Sequence, residues 1–231
     1  MKILLYGINY APEPTGIGKY TGEMAEWLAK KGHRVRVIAA PPYYPHWKRD
    51  DGHGAFSYST EQRAGCEVLR APLWVPANPG GFKRIVHLAS FALTSLPWLV
   101  RSLGWRPDVV LVVAPAFMCA PAGWLLASVC RAQSWLHVQD FEVDAAFDMG
   151  LLKGGVARRV VTAIERWVFR RFDRVSSISD RMLDKLRAKG VDPERVVSFP
   201  NWVDVNAMSA HSGPGKYRAE LGIATDAVVA L

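Results

Sequence analysis

Short, unbroken apolar runs alternate with longer stretches of helical period along this chain. Residues 2–8, "KILLYGI", form a continuous apolar run, the pattern of a strand buried on both faces. A polar, Pro-rich loop follows. Ile17, Tyr20, Met24, Trp27 and Leu28 then recur at helical spacing, and Gly32 stands where a helix C-cap belongs. Residues 34–40, "RVRVIAA", give a second strand. This βαβ opening predicts a right-handed connection and a parallel sheet.

The alternation continues. Residues 41–62 lack any period and predict a long aromatic and polar loop, a length usually tied to function. "CEVLRAPLWVP" predicts a third strand, and residues 82–103 one strongly apolar helix. "DVVLVVAP" is the clearest buried strand, with an apolar helix near 117–131 after it. "SWLHVQD" is the next strand and carries Gln139 and Asp140 at its C-terminal end. "GVARRVVTAIERWVFRRF" predicts a basic amphipathic helix, "DRVSSIS" a strand, "DRMLDKLRAKG" a helix and "ERVVSFPNWVD" a strand ending in a polar loop. The fold class this implies is α/β, a Rossmann-like parallel sheet flanked by helices. In the tail, "KYRAELGI" predicts a helix start and "DAVVAL" a strand that the last residue interrupts. The expectation is therefore a main domain over 1–207, with 208–231 a linker and the start of a second, truncated domain.

Composition adds direction. The 231 residues are 50% hydrophobic and 22% charged, an ordinary globular balance, with a formal charge of +8. Such a surplus suits an anionic partner (a phosphate-bearing substrate, an anionic membrane face or nucleic acid) or a solvated basic surface, and of these nucleic acid is not the expected partner. The three cysteines form no C-x-x-C pair, which argues for a reducing compartment and against structural zinc. The N-terminal run has no small-residue cleavage site after it and reads as a buried strand, not a signal peptide. Sixteen residues separate Arg84 from Arg101, fewer than the roughly 20 a membrane span needs.

Gly16, Gly18 and Gly22 invite comparison with a dinucleotide-binding loop. That loop needs its glycines directly after the first strand, in G-x-G-x-x-G/A order. Here Gly16 lies nine positions beyond Gly7, Thr21 takes the place of the last glycine, and no acid ends the second strand. G-K-[ST] is absent as well, because Tyr20 follows Lys19. What remains is a glycine-lined helix N-terminus, where free N–H groups and the helix dipole favour an anion, or a plain glycine turn.

The stretch "GINYAPEPTGIGKYTGEMAEWLAKKGHRVRVIA" resembles the opening of family 4 glycosyltransferases, with Thr15 and Gly16 in the place of the family's paired glycines. "HVQDFEVDAAF" is similar to that family's H-D-L-x-P-E segment, "VSSISDRMLDKL" to its I-S helix start, and "VVSFPNWVD" to its V-I-P-N-G-V-D, with Trp202 for the glycine. "PPYYPHW" and "APLWVPANPGGFKRIVHLASFALTSLPWL" resemble the fucosyltransferases of colanic acid biosynthesis. The resemblance implies the N-terminal, acceptor-side half of a two-domain GT-B fold. It also implies retaining sugar transfer without a metal or other cofactor, from a nucleotide sugar (GDP-fucose) to a lipid-linked saccharide acceptor. The setting it implies is cytoplasmic, on the inner membrane face. No Glu has another Glu eight positions on, so the E-x7-E donor signature of the other half is absent from these residues, and no D-x-D occurs.

Roles follow from position. Gly16 and Gly18 would bring backbone donors to a diphosphate or acceptor, with Lys19 and Tyr20 beside them. Asp140, at a strand's C-terminal end, would polarise the acceptor hydroxyl or cap a helix. Counting back from Asp140, the family's catalytic His falls on Gln139, while His137 shares its strand parity. Asp144 matches the family's Glu, and Asn201 shapes the last loop. Arg158, Arg159, Arg166, Arg170, Arg171 and Arg174 give the basic helix a face for an anionic membrane surface or for solvent. Two other classes compete: a non-catalytic membrane-surface or regulatory module, and an NAD-dependent oxidoreductase, which the missing acid after the second strand disfavours.

Overall fold

The computed structural model describes residues 1–48, 57–115, 117–141, 143–144, 147, 155–205, 218, 220–224 and 226–228. The chain divides into two compact units, residues 1–200 and 201–231. The first holds an eight-stranded sheet in the order β3-β4-β2-β1-β5-β6-β7-β8. Its strands are β1 (Lys2–Tyr6), β2 (Arg34–Ala39), β3 (Ser59–Arg63), β4 (Cys66–Arg70), β5 (Val109–Ala114), β6 (Gln133–Val138), β7 (Arg174–Ser177) and β8 (Val196–Ser198). Its helices are α1 (Gly16–Lys30), α2 (Gly81–Thr94), α3 (Leu96–Trp105), α4 (Ala120–Cys130), α5 (Gly155–Phe169) and α6 (Asp180–Ala188). Every neighbouring pair of strands is parallel except β3–β4.

The parallel strands are those with continuous apolar runs, because helices cover them. Leu4, Tyr6, Ile38, Leu69, Val110, Val112, Leu136 and Val175 are fully buried. Each such side chain contributes roughly 1.5–3 kcal/mol of burial free energy. The strand order reverses at β1, where β2 lies on one side and β5 on the other. In open α/β sheets that reversal opens a crevice at the strands' C-terminal ends.

Four local expectations are corrected. The loop expected over 41–62 contains β3 at its end, joined to β4 by Ala64 and Gly65, whose φ values of 49° and 80° are those of a type I′ hairpin turn. The sequence hides β3 because S-T-E-Q-R is an edge strand with no apolar alternation. The strand expected over 66–76 ends at Arg70, ahead of Pro72. The single helix expected over 82–103 is two, α2 and α3, meeting at Ser95. Pro97 lies in the first turn of α3, where its missing N–H costs nothing, and could not sit in a continuous helix interior without loss. Ser95 is also tied to the sheet, since its Oγ lies 2.6 Å from the Tyr6 hydroxyl.

The face that α1 turns to the sheet is the fourth difference. Gly18, Thr21, Gly22, Met24 and Ala25 are buried there, whereas Trp27 is exposed beneath the Lys31 ammonium. Small residues win because the chain comes close: a Cβ on Gly22 would stand 2.8 Å from Ala11 Cβ. The helix ends as expected. Gly32, with φ 85°, lets its own N–H reach Ala29 O and the His33 N–H reach Leu28 O, a Schellman cap. In the tail, Arg218 and Glu220 are helical, as expected for residues 216–223, whereas residues 226–228 form no strand; the rest of the strand expected over 226–231 lies outside the described residues. Among the described residues no helix is long and apolar enough to cross a membrane.

Candidate active site

A cleft of about 190 Å³ opens at the β1/β5 reversal. Ile8 and Asn9, just past β1, and Pro115, just past β5, line it. So do Gly16, Ile17 and Gly18 at the start of α1, Tyr43, Tyr44 and Trp47 after β2, Arg84, His87 and Leu88 of α2, and Asp140 after β6. Two of the sequence-derived groups therefore meet: the glycine-opened helix start and Asp140.

The glycines have a second duty. Glu13 is 4% exposed. Its Oε2 accepts a bond from Asn9 Nδ2 (2.9 Å), and its Oε1 accepts the backbone N–H groups of Tyr43 and Tyr44 (3.2 Å each). A Cβ on Gly18 would stand 2.6 Å from Glu13 Cβ. Gly18 thus makes room for a carboxylate that staples the β2 exit loop to the Pro-rich loop. Burial pushes the Glu13 carboxyl up, and its bonds to Asn9, Tyr43 and Tyr44 pull the other way. Gly16, with φ 61°, turns the chain into α1, and Thr15 makes no side-chain cap there. The first N–H groups of the helix are left for water or a ligand.

Asp140 is exposed at the cleft, yet its carboxyl is enclosed enough that burial raises its pKa, with the Arg84 charge opposing. A carboxylate so placed can accept a proton or a hydrogen bond from a hydroxyl. His87 of α2 lines the same cleft. Its Nδ1–H donates to Trp74 O (2.7 Å), so the tautomer is set and Nε2 is the acceptor nitrogen. Burial pushes the pKa of this imidazole down; the Trp74 bond opposes the shift and the Arg84 charge adds to it.

The remaining sequence-derived residues lie elsewhere. Lys19 and Tyr20 sit on the surface of α1, Lys19 in a loose pair with Glu23 at 3.9 Å. His137 is buried within the sheet, its Nδ1 2.9 Å from Ser176 Oγ and its ring 5.1 Å from that of Phe199. Burial pushes its pKa down to about 4. Gln139 is buried one position before Asp140. Neither lines the cleft. Asp144 pairs with Lys185 and with Lys189 (2.9 Å), and Lys189 also bonds Glu165, which is 2% exposed. Burial would raise the Asp144 carboxyl, but the two lysines outweigh it and hold it below the usual range. Asn201 belongs to the second unit and is exposed.

Asn9, Glu13, Arg84 and His87 escaped the sequence reasoning. Glu13 carried a signal, an acid in the loop whose glycines were singled out. His87 carried a fainter one: it stands one helical turn before Phe91, on the face that becomes buried.

A broader hollow of about 920 Å³ runs along α5, lined by Arg158, Arg159, Arg166, Arg170, Arg171 and Trp167. Val156, Val160 and Ile164 stand exposed on the same helix, and Arg171 lies over the rings of Trp124 and Trp167. The hollow is cationic, and Val156, Val160 and Ile164 lie outside its lining.

A doubly wound sheet with its cleft at the strand reversal is a Rossmann-like ligand-binding architecture. Comparison with known proteins agrees. Residues 15–202 match the glycosyl transferase 4-like domain, and the chain belongs to that family. It is 50% identical over 208 residues to Escherichia coli (strain K12) WcaI, a protein named for glycosyl transfer in colanic acid biosynthesis. The match covers 89% of this chain and 51% of that protein, so the chain spans about half the length of the curated relative it matches. Among solved structures, Anabaena Alr3699/HepE in complex with UDP-glucose superposes with a TM-score of 0.57 at 16% identity, over 97% of this chain and 50% of that one. The catalytic domain of starch synthase IV from Arabidopsis thaliana gives 0.59 at 14% identity, over 89% and 52%. The fold is α/β and Rossmann-like, as in these GT-B glycosyltransferases, about half of whose length it covers.

Proposed function

We propose that this chain is the acceptor-side half of a retaining, metal-independent glycosyltransferase that builds an exopolysaccharide of the colanic acid kind. The donor is a nucleotide sugar, GDP-fucose, and the acceptor is a lipid-diphosphate-linked saccharide. The observation that carries this is the convergence of the α1 start and Asp140 on one cleft at the strand reversal. The free N–H groups of α1 suit the charge that develops on a departing diphosphate. Asp140 suits the hydroxyl that attacks, as its acceptor. Support for the pathway comes from the half-length match to WcaI, and support for a nucleotide-sugar donor from the UDP-glucose complex of HepE.

The α5 face supports work at the cytoplasmic membrane surface. Arginines flanking exposed Val156, Val160 and Ile164 match anionic headgroups above an apolar boundary. The second unit belongs, in this proposal, to a donor-binding domain, with the boundary near residue 207. The test is transfer by the full-length protein. Membranes carrying lipid-linked saccharides are supplied with GDP-fucose, with and without a chelator, and the anomeric configuration of the product is read by NMR. Fucosyl transfer with retention that survives chelation supports the proposal. Transfer only from another nucleotide sugar removes the donor assignment, inversion removes the mechanism, and no transfer from any donor removes the enzyme.

A further inference from the structure

His87 had no role assigned to it from sequence, yet its environment is unusual. The side chain is 1% exposed and lines the same cleft as Asp140. One nitrogen is accounted for, because Nδ1–H donates to Trp74 O at 2.7 Å. That bond leaves Nε2 on the ring edge away from Trp74. Among the described residues no group hydrogen-bonds to it. A buried acceptor left unmet costs about 1–3 kcal/mol, and such atoms in native proteins mark a missing partner.

The surroundings say what partner fits. The Tyr43 ring meets the imidazole edge-on at 4.8 Å, and the Trp47 ring lies 5.2 Å away. Trp47 is held at φ 50°, a conformation that a bulky residue adopts only at a cost. Aromatic walls with a few placed polar groups are the makings of a small polar-organic site. A neutral Nε2 can only accept, so its partner is an O–H or N–H donor. Its neighbour Arg84 is a cation, which disfavours a cationic donor.

We propose that His87 Nε2 accepts a hydrogen bond from a hydroxyl of the saccharide seated in this cleft, and so turns another hydroxyl of that sugar, the one that attacks the donor, towards Asp140. The assignment rests on the glycosyltransferase reading and deepens it. His87 is a positioning residue: it fixes which hydroxyl faces Asp140, while Asp140 receives the proton.

Two substitutions separate this role from a structural one. His87→Asn keeps an amide donor for Trp74 O but has no atom at the Nε2 position. His87→Gln reaches that position with an amide oxygen. The 231-residue chain, uniformly labelled with 15N, is titrated with methyl α-D-glucopyranoside, methyl β-D-galactopyranoside and methyl α-L-fucopyranoside. Without sugar, the His87 resonances should show protonated Nδ1 and bare Nε2. With a glycoside, Nε2 should shift and Nδ1 should stay. That glycoside should bind His87→Asn about tenfold more weakly, the worth of roughly one hydrogen bond, and His87→Gln within a few-fold of the wild type.

A glycoside that moves the amides of Gly16 and Asp140 but not His87 Nε2 overturns the proposal. So does equal binding by His87→Asn, or no response to any of the three sugars. The failures are distinguishable. A full-length protein that transfers nothing, with His87 still responding to a glycoside, loses the enzyme assignment and keeps this one. An active full-length protein with a silent His87 does the reverse.

Discussion

Glu13 fills the space in which a side chain at Gly18 would have to stand, with the two residues so close that a Cβ on Gly18 would lie 2.6 Å from Glu13 Cβ. Gly18→Ala should therefore destabilise the chain by about 1–3 kcal/mol through overpacking. In a Glu13→Gly background most of that cost should vanish, because the clashing atoms are gone. Urea unfolding of the four proteins in the cycle checks this. Equal costs in both backgrounds would show that the glycine is needed for something other than room.

On the proposed role of Asp140 as proton acceptor, Asp140→Asn should leave folding intact and lower sugar transfer by the full-length protein at least a hundredfold, the usual scale for such a group. Activity assays paired with thermal unfolding check it. Undiminished turnover would make Asp140 a surface carboxylate with no part in the chemistry.

His137 predicts a pH dependence of stability. Its folded pKa is pushed from 6.5 to about 4. Above pH 6.5 the imidazole is neutral in both states and contributes no difference. Below it the unfolded chain takes up a proton that the folded chain refuses. Stability is thus lost as pH falls from 6.5 towards 4, by about 3 kcal/mol at the end. His137→Gln should flatten that part of the curve, and denaturant unfolding across this range measures the difference between the two proteins.

Lys189 holds two carboxylates, Asp144 and the buried Glu165. Lys189→Met should cost about 3–5 kcal/mol, because it strands Glu165 without a counter-charge. Glu165→Gln in the same background should recover part of the loss. Chemical denaturation of the single and double variants reads this directly. An unaltered midpoint for Lys189→Met would show that the cluster is solvated.

The arginine-bearing face of α5 should bind vesicles containing anionic lipid and ignore neutral ones, with binding falling as salt rises. Reversing Arg158 and Arg166 to Glu should abolish co-sedimentation of the chain. Equal binding by the reversed variant would place membrane contact elsewhere.

The parallel strands were legible because each is buried on both faces, and "DVVLVVAP" has no other explanation. Gly32 was legible because a helix end demands a positive φ. The break at Ser95 was less so, since an apolar period runs through it and only Pro97 marks the turn. β3 was invisible because an edge strand of polar residues takes its pairing from β4 and not from its own period. Asp140 could be found, as the end of a strand is visible in sequence. The pairing of Asp144 with Lys189 could not, because the lysine is 45 residues away. The same holds for His87: nothing local says that Trp74 will take one nitrogen and leave the other.

The junction between α2 and α3 has a further consequence. Ser95 is gripped by Tyr6, the last residue of β1, and the next residues of that strand's path, Ile8 and Asn9, floor the cleft. His87 lies eight residues before Ser95 on the same helix. The hydroxyl contact therefore pins the end of α2 to the strand that leads into the cleft, so that lengthening α2 by one residue between His87 and Ser95 would rotate the imidazole out of the cleft.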